Sequence, residues 1–361
     1  MQKKKFSPKL QAKIDSLKSK REAIQLGEVS FASKVLLAPM AGICNAPFRL
    51  LMEDLGAGGT VSELISANGI NHGNDRTLSM LELDEREEHV GIQLFGEDTE
   101  SMAKAAEVAQ RYNPKFLDIN MGCPVRKVVT KGGGSALMRD PEFLGPFFAG
   151  IRKAINIPLS IKIRTGWDAE SLNAEVIEKI AYNEGIEWVA IHGRTRTQQY
   201  TGFADWDYIE NIAENSILPI IGNGDLHQAY QVQNRLQQTK CDALMIARGC
   251  LRNPFIFLEA FNETPDQVSL FDGSDYFEVS ERLYDYMLET FDNPRIQLTQ
   301  MRKLIVWFAA GFPSAAKFRS NMFASKDLDE VMQLSQNFFM GLGDRPKYIN
   351  YNEVFMNGGH G

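Results

Sequence analysis

From Val35 onward, short apolar runs alternate with amphipathic segments. The runs are Val35–Leu37, Val61–Ile65, Val90–Leu94, Phe116–Asn120, Leu159–Ile163, Trp188–His192, Leu218–Ile221 and Ala243–Ile246. Between most of them lie helical patterns, such as Thr99–Arg111, Glu170–Glu184 and His227–Leu236. Eight strand-then-helix units over roughly 230 residues match the size of a (β/α)8 TIM barrel. An open doubly wound sheet would want a GxGxxG turn after the first strand, and Pro39-Met40-Ala41-Gly42 does not supply it. The pattern therefore predicts an α/β fold with a TIM barrel over residues 35–262.

After about Phe261 the pattern becomes helical, with segments near Tyr276–Phe291, Gln297–Ala310 and Asp327–Phe339. These predict a C-terminal helical domain over residues 263–345. The tail, 346–361, is rich in Gly, Asn and Tyr and is expected to be poorly ordered. Residues 1–34 read as a basic, helix-prone arm, with Leu10, Ile14 and Leu17 at helical spacing. The plainer reading of that arm is a solvated surface helix, and a nucleic-acid arm is the alternative.

Composition narrows the class. With 44% hydrophobic and 24% charged residues, the chain of 361 is ordinary for a folded soluble protein. No stretch approaches the roughly 20 apolar residues of a membrane span. The basic start, Met1 to Pro8, has no apolar core behind it and is not a secretory signal. Cys44, Cys123, Cys241 and Cys250 show no CxxC pairing, so neither zinc nor a redox pair is indicated. The expectation is a reduced, cytoplasmic protein without a metal. A net charge of −7 argues against broad nonspecific DNA binding but leaves room for local basic surfaces. One runs from Lys3 to Arg21. The other, Asn293 to Lys326, holds Arg295, Arg302, Lys303, Lys317, Arg319 and Lys326 and no Asp or Glu.

Chemistry in such a barrel lies at the C-terminal ends of the strands. Those ends carry Met40, Glu63, Gln93, Asn120 with Cys123, Lys162, His192, Asn223 with Asp225, and Arg248. A lysine facing inward at Lys162 costs several kcal/mol unless an anion or partner meets it. An outward, snorkelling lysine is the alternative. Gly222-Asn223-Gly224-Asp225 and Ala247-Arg248-Gly249 follow the seventh and eighth strands, the usual phosphate loops of barrels. Cys123, between Gly122 and Pro124, is a candidate nucleophile or proton donor, or else a buried small hydrophobe. His192 is a cofactor or phosphate contact candidate, whereas His72, His89 and His227 read as ordinary surface or helix residues.

Leu37-Ala38-Pro39-Met40-Ala41-Gly42, Asp118-Ile119-Asn120-Met121-Gly122-Cys123-Pro124, Ile161-Lys162-Ile163-Arg164-Thr165-Gly166-Trp167, Ile191-His192-Gly193-Arg194-Thr195-Arg196, Gly222-Asn223-Gly224-Asp225 and Met245-Ile246-Ala247-Arg248-Gly249 occur in this order. Together they resemble the bacterial tRNA-dihydrouridine synthase family over Val35 to Phe261, and more loosely in the helical domain. The resemblance implies FMN on the barrel and reduction of a tRNA uridine to 5,6-dihydrouridine, with NADPH as electron donor. Pro39, Met40 and Ala41 would line the flavin ring, and Gln93 and Lys162 would bond its polar edge. Asn223, Gly224, Asp225, Ala247 and Arg248 would hold its phosphate, and His192 would be a further flavin contact. Cys123 matches the catalytic acid and Asn120 a uracil-side contact. Hydride from reduced FMN would reach C6 of the uracil and a proton from Cys123 would reach C5.

The acid-free stretch, with Arg302, Lys317 and Arg319, would bind tRNA, and a monomer is expected. Two departures stand out. The arm before Ala-Pro-Met is longer than usual, and Leu304 and Phe308 stand where the family pattern has His and Tyr. Two other classes remain in view: a flavin barrel reducing a free pyrimidine, and a non-catalytic RNA-binding barrel. The first has no use for an acid-free basic stretch. The second has no use for Cys123 and Lys162.

Overall fold

The computed structural model describes residues 6–262, 269–343, 349–352 and 355. The lysines at 3–5, the 262/263 boundary and most of the tail lie outside the described residues. The strands are β1 (Ile24–Leu26), β2 (Val29–Phe31), β3 (Val35–Leu37), β4 (Thr60–Ser66), β5 (Val90–Phe95), β6 (Phe116–Met121), β7 (Leu159–Arg164), β8 (Val189–His192), β9 (Ile220–Asn223) and β10 (Ala243–Ile246).

Strands β3 to β10 form one eight-stranded sheet in the order β3-β10-β9-β8-β7-β6-β5-β4. Gly58 N–H donates to Val35 O (2.8 Å) and Leu37 N–H to Gly59 O (2.9 Å), so the chain entering β4 closes onto β3. A Cβ at Gly58 would lie 2.3 Å from Ser33 O, so the approach needs glycine. The eight strands are those expected from the sequence, with ends shifted by up to two residues: the seventh, read as Leu218–Ile221, is Ile220–Asn223.

Side chains alternate across each strand. Leu117, Ile119, Ile161, Ile163, Val189 and Ile191 pack outward into the core shared with the helices. Leu36, Val61, Phe116, Ala190, Ile221, Ala243 and Met245 face inward and form a separate core inside the barrel. Higher on the inward face the residues turn polar: Asp118, Asn120, Ser160, Lys162, Arg164 and Asn223 are all buried. The barrel is thus apolar at the bottom and polar at the top.

The bottom is closed by residues read from the sequence as part of a basic arm. β1 and β2 form an antiparallel hairpin around Gly27, whose φ of 53° takes the left-handed turn. Leu26, Val29 and Phe31 enter the inner core, and the Phe31 ring meets Trp188 edge-on at 5.8 Å. The helix Pro8–Lys18, capped by Ser7, likewise differs from a solvated surface helix. Leu10, Ile14 and Leu17 are fully buried. Glu278 accepts hydrogen bonds from Ser7 N–H and Ser7 Oγ, both 2.7 Å, and Lys13 pairs with Asp275.

The C-terminal part consists of helices Gly273–Thr290, Pro294–Phe308, Ala315–Ala324 and Leu328–Leu342. The third was not expected: only Phe318 and Met322 of its ten residues are buried, too thin a stripe to stand out. The helix Gly273–Thr290 docks on the barrel through Asp54, which accepts from Arg282 Nε (2.9 Å) and Tyr286 OH (2.6 Å). Arg86 reaches Glu289 at 2.7 Å. Among the described residues no helix is long and apolar enough to cross a membrane.

Candidate active site

A cavity of about 330 Å³ opens at the C-terminal end of the barrel, within the size range of small-molecule sites, about 300–1,000 Å³. The ends of β3 and of β5 through β10 bring together Pro39, Met40, Ala41, Gln93, Asn120, Cys123, Lys162, His192, Asn223, Gly224, Asp225, Ala247 and Arg248. Arg302, Lys317 and Arg319 do not reach it. Arg302 Nε donates to Ser325 Oγ (3.1 Å), and Lys317 and Arg319 are exposed on the helix Ala315–Ala324.

Strand register builds the floor. Gln93 lies beside Asp118, Asp118 beside Ser160, and Asn120 beside Lys162. Gln93 Nε2 and Ser160 Oγ each donate to the Asp118 carboxylate at 2.7 Å, and Asn120 Nδ2 donates to Gln93 Oε1 at 2.9 Å. Burial raises Asp118 to about 6 against these hydrogen bonds and the nearby Lys162 charge. The partner of Lys162 on β8 is Ala190, too small to block it. Lys162 Nζ therefore crosses to Asn223 Oδ1 at 3.0 Å, while Asn223 Nδ2 is spent on Met245 O (2.8 Å). Lys162 faces inward, not out to solvent, and burial lowers it to about 8 with help from Arg164. Burial and the cations Arg164, Lys162 and Arg194 hold His192 far below its ordinary value, so its imidazole is neutral.

Cys123 sits on the loop after β6, which is held from both sides. Asn120 Oδ1 accepts from Cys123 N–H (2.9 Å), and Ser135 donates through N–H (3.1 Å) and Oγ (2.9 Å) to Cys123 O. Arg164 Nε donates to Gly122 O at 2.7 Å, and its Nη1 donates to Thr195 O (2.9 Å) and Gln199 O (2.8 Å). Arg164 was quoted in the sequence only as part of a motif. It ties this loop to the one after β8. Burial pushes the Cys123 thiol up, against a backbone hydrogen bond and the Arg164 charge, so at neutral pH it stays protonated. The other cysteines are buried and free, and burial raises Cys44 to about 12.

The opposite end is cationic. Arg248 lies 5.2 Å from the Tyr200 ring and 4.0 Å from Asp225. Asp225 is turned to Arg194 (2.9 Å) and accepts Ala204 N–H (2.7 Å). Burial opposes its charge, but hydrogen bonds from His227, Arg194 and Ala204 outweigh that, and its carboxyl stays well below the usual range. The φ of 136° at Gly224 and 52° at Asp225 turn the chain sharply off β9. A Cβ at Gly224 would fall 2.5 Å from Ala204 Cβ. His227, read as an ordinary helix or surface residue, lines the cavity, 3.7 Å from Asp225.

The helical domain closes one side. Lys303 and Trp307 line the cavity, and Lys303 Nζ donates to Gly42 O, 5.5 Å from the Trp307 ring. Glu63 accepts Gly42 N–H from behind. Trp307 is only 9% exposed, packs in the helix core and also lines the cavity.

The family model described as dihydrouridine synthase (Dus) matches residues 36–341. The chain is 32% identical over 327 residues to a probable tRNA-dihydrouridine synthase of Rickettsia prowazekii, covering 90% of this chain and all of that one. It is 35% identical over 321 residues to tRNA-dihydrouridine synthase B of Xanthomonas axonopodis pv. citri, covering 88% of this chain and 96% of that one. Among solved structures it is similar to histamine dehydrogenase of Rhizobium sp. 4-9, with a TM-score of 0.53 at 11% identity. That match covers 75% of this chain but only 51% of the other, and it speaks for the barrel fold alone. With its motifs gathered at one cavity and the family model spanning barrel and helices alike, the chain belongs to the dihydrouridine synthase family.

Proposed function

We propose that this protein is an FMN-dependent tRNA-dihydrouridine synthase, reducing the C5–C6 double bond of uridines in tRNA with electrons from NADPH. The observation that carries the reading is Cys123. Its thiol is kept protonated, and its loop is held by Asn120, Ser135 and Arg164 in the wall of the cavity that Lys162 also lines.

The donor set suits FMN. Pro39, Met40, Ala41 and Met245 offer an apolar wall for a flat ring, and Gln93, Asn120 and Lys162 offer polar groups at its edge. Arg248 and His227 lie by the loop Asn223–Asp225, where a phosphate would find them. The Asp225 side chain is an anion bound to Arg194, so its part in a phosphate site is its backbone N–H. Reduced FMN supplies the electron pair that reaches C6 of a uracil. The protein's own work is to orient the base and supply the proton. Asn120 and Arg164 hold the Cys123 loop, and the Cys123 Sγ proton goes to C5. Residues 35–262 form the catalytic barrel in this reading, and 263–345 the tRNA-binding domain. A monomer acting in the cytoplasm belongs to the same reading.

Mapping dihydrouridine in tRNA from a strain lacking the gene tests the reaction. Loss at defined positions, restored by the wild-type gene, is expected, whereas an unchanged map overturns the reading. Retention of reductase activity on free uracil alone would point to the pyrimidine enzyme instead.

Two variants probe the parts. Arg248→Ala should bind FMN more weakly by about 1.5–3 kcal/mol, the worth of a charge-assisted hydrogen bond, with an unchanged circular dichroism spectrum. Fluorescence titration with FMN measures it, and unaltered affinity would move the phosphate elsewhere. Lys317→Glu combined with Arg319→Glu should weaken tRNA binding, most at low salt, while NADPH still bleaches the flavin. Equal tRNA affinity in that variant would remove this helix from the RNA surface.

A further inference from the structure

Three barrel-top loops are joined by a stack that the proposed reaction does not use. The Trp167 ring, on the loop after β7, has the Arg139 guanidinium 4.7 Å from its centre and that of Arg196 at 4.6 Å. Arg139 closes the segment that begins at Cys123, and Arg196 belongs to the loop after β8. Arg196 N–H donates to Gly166 O and Thr197 N–H to Trp167 O, both at 3.0 Å, so the loops are also sewn together through the backbone. Two cations share one indole, and neither has a carboxylate partner among the described residues. Arg196 Nε is buried and has no hydrogen-bond acceptor there. Nearby acids are spent elsewhere. Asp168 accepts from Ser171 Oγ (2.7 Å) and Glu170 N–H (3.1 Å), and Asp140 caps the helix Pro141–Ala154.

The same rim carries more charge of one sign. Asn120 to Arg139 contains Arg126, Lys127 and Lys131 and no Asp or Glu. All three are exposed and unpaired with any carboxylate among the described residues. Elsewhere on the barrel the exposed Lys104, Arg111 and Lys179 are each matched to a glutamate four residues away, while Lys34, Arg76, Lys115 and Lys153 are exposed without an ion-pair partner among the described residues but are scattered singly along the chain. On the loop after β8, Phe203 is 87% exposed. Its backbone is braced by Arg194, which bonds Thr201 O and Gly202 O. A net-acidic chain that sets three such cations in the acid-free segment following its proposed acid, with two more sharing one indole, presents the composition of a nucleic-acid surface.

We infer that this rim, Arg126, Lys127, Lys131 and the Arg139–Trp167–Arg196 stack, is a second RNA surface that grips the phosphodiesters flanking the target uridine. Its residues belong to the barrel, whereas Lys317 and Arg319 belong to the helix Ala315–Ala324 of the C-terminal part. The stack holds two guanidinium planes rigid at little entropic cost, ready for phosphate oxygens. The inference rests on the reading of the protein as a tRNA-modifying enzyme.

Its test is the salt dependence of tRNA affinity and the KM for tRNA, in FMN-loaded full-length protein. Arg139→Gln with Arg196→Gln should raise KM roughly tenfold or more. It should also make the plot of log affinity against log salt shallower by about 2, about 1 per lost phosphate contact. FMN content and bleaching by NADPH should match wild type. Arg126→Glu with Lys127→Glu, on the open surface, gives the same readout if the stack variant folds poorly. Arg139→Lys with Arg196→Lys should restore the slope but only part of the KM, because the charge returns without the stack. Wild-type KM and slope in both the glutamine and the glutamate variants overturn the rim while leaving the activity standing. Failure of the wild-type protein to make dihydrouridine in tRNA would instead overturn the reading beneath it.

Discussion

Replacing Cys123 by Ala is expected to leave a yellow, folded protein that NADPH reduces normally but that tRNA reoxidises about 10²–10⁴-fold more slowly, the usual contribution of a positioned general acid. The loop is held mainly through the Cys123 backbone N–H and C=O and through Gly122 O, and the thiol adds only a hydrogen bond with the Val125 backbone two residues on. Removal of the sulfur should therefore spare the fold and reveal the chemistry. The residual rate is that of a water placed beside C5. The pH profile carries a second signature. Burial raises the Cys123 thiol above its ordinary value of 9.0. An acid works while protonated, so the wild-type rate should be flat through neutrality and fall only in alkali, above the ordinary thiol value. The Ala variant should lose that alkaline limb. Single-turnover oxidation of the pre-reduced enzyme by tRNA, from neutral to alkaline pH, measures both. An Ala variant as fast as wild type would make Cys123 a packing residue.

How much of this site is legible in the sequence follows from what strand periodicity carries. A run such as Leu159-Ser160-Ile161-Lys162-Ile163 announces a strand, and its position before a glycine-bearing loop places Lys162 near the top. What it does not carry is lateral register. That Asp118 stands between Gln93 and Ser160, or that Lys162 passes over Ala190 to Asn223, depends on strands up to 61 residues apart in the chain. Asp118 therefore read as part of a motif and not as a buried carboxylate. Lys303 and Trp307 were hidden for a related reason. On the helix Pro294–Phe308, Trp307 stands among the buried positions and Lys303 reads as one charge of the acid-free stretch, and only docking against Gly42 brings them to the cavity. His227 misled because its neighbours read as a helix start, while the turn at Gly224 and Asp225 swings it over the site. The hairpin plug has a sequence signal, alternation around Gly27, but it spans only three residues a side and follows a basic segment whose charge dominates the local pattern. Family motifs gather at one cavity because they concentrate at strand ends, where backbone position alone decides what meets what.

Lys162→Met should weaken FMN binding roughly 10- to 100-fold, as expected for loss of a charge-assisted bond in a buried site, and should abolish the pH dependence of that binding. The argument starts from the sign of the shift. Lys162 lies at about 8 in the folded chain against 10.5 ordinarily, because burial disfavours its charge. Between those two values the unfolded chain holds the extra proton. Stability of the FMN-free protein should therefore rise with pH across that window, and the cost of the buried charge is fully present below pH 8. A bound anionic group reverses the preference, since it is best met by the charged amine. Above about 8 the amine must take up a proton to bind FMN, and wild-type affinity should fall with pH from there, by up to tenfold per unit. Methionine keeps the length and the packing without the charge, so the FMN-free variant should be as stable as wild type or more so below pH 8. Its FMN affinity should be low and flat over the same range. Asp118 would report the change independently: Lys162 lowers it from across the floor, so its titration should move upward in the variant. Isothermal titration with FMN from pH 6 to 10, with thermal unfolding of the FMN-free forms, separates the terms. If wild type shows no alkaline loss of affinity, or Met keeps one, the group that senses pH at the flavin is not Lys162.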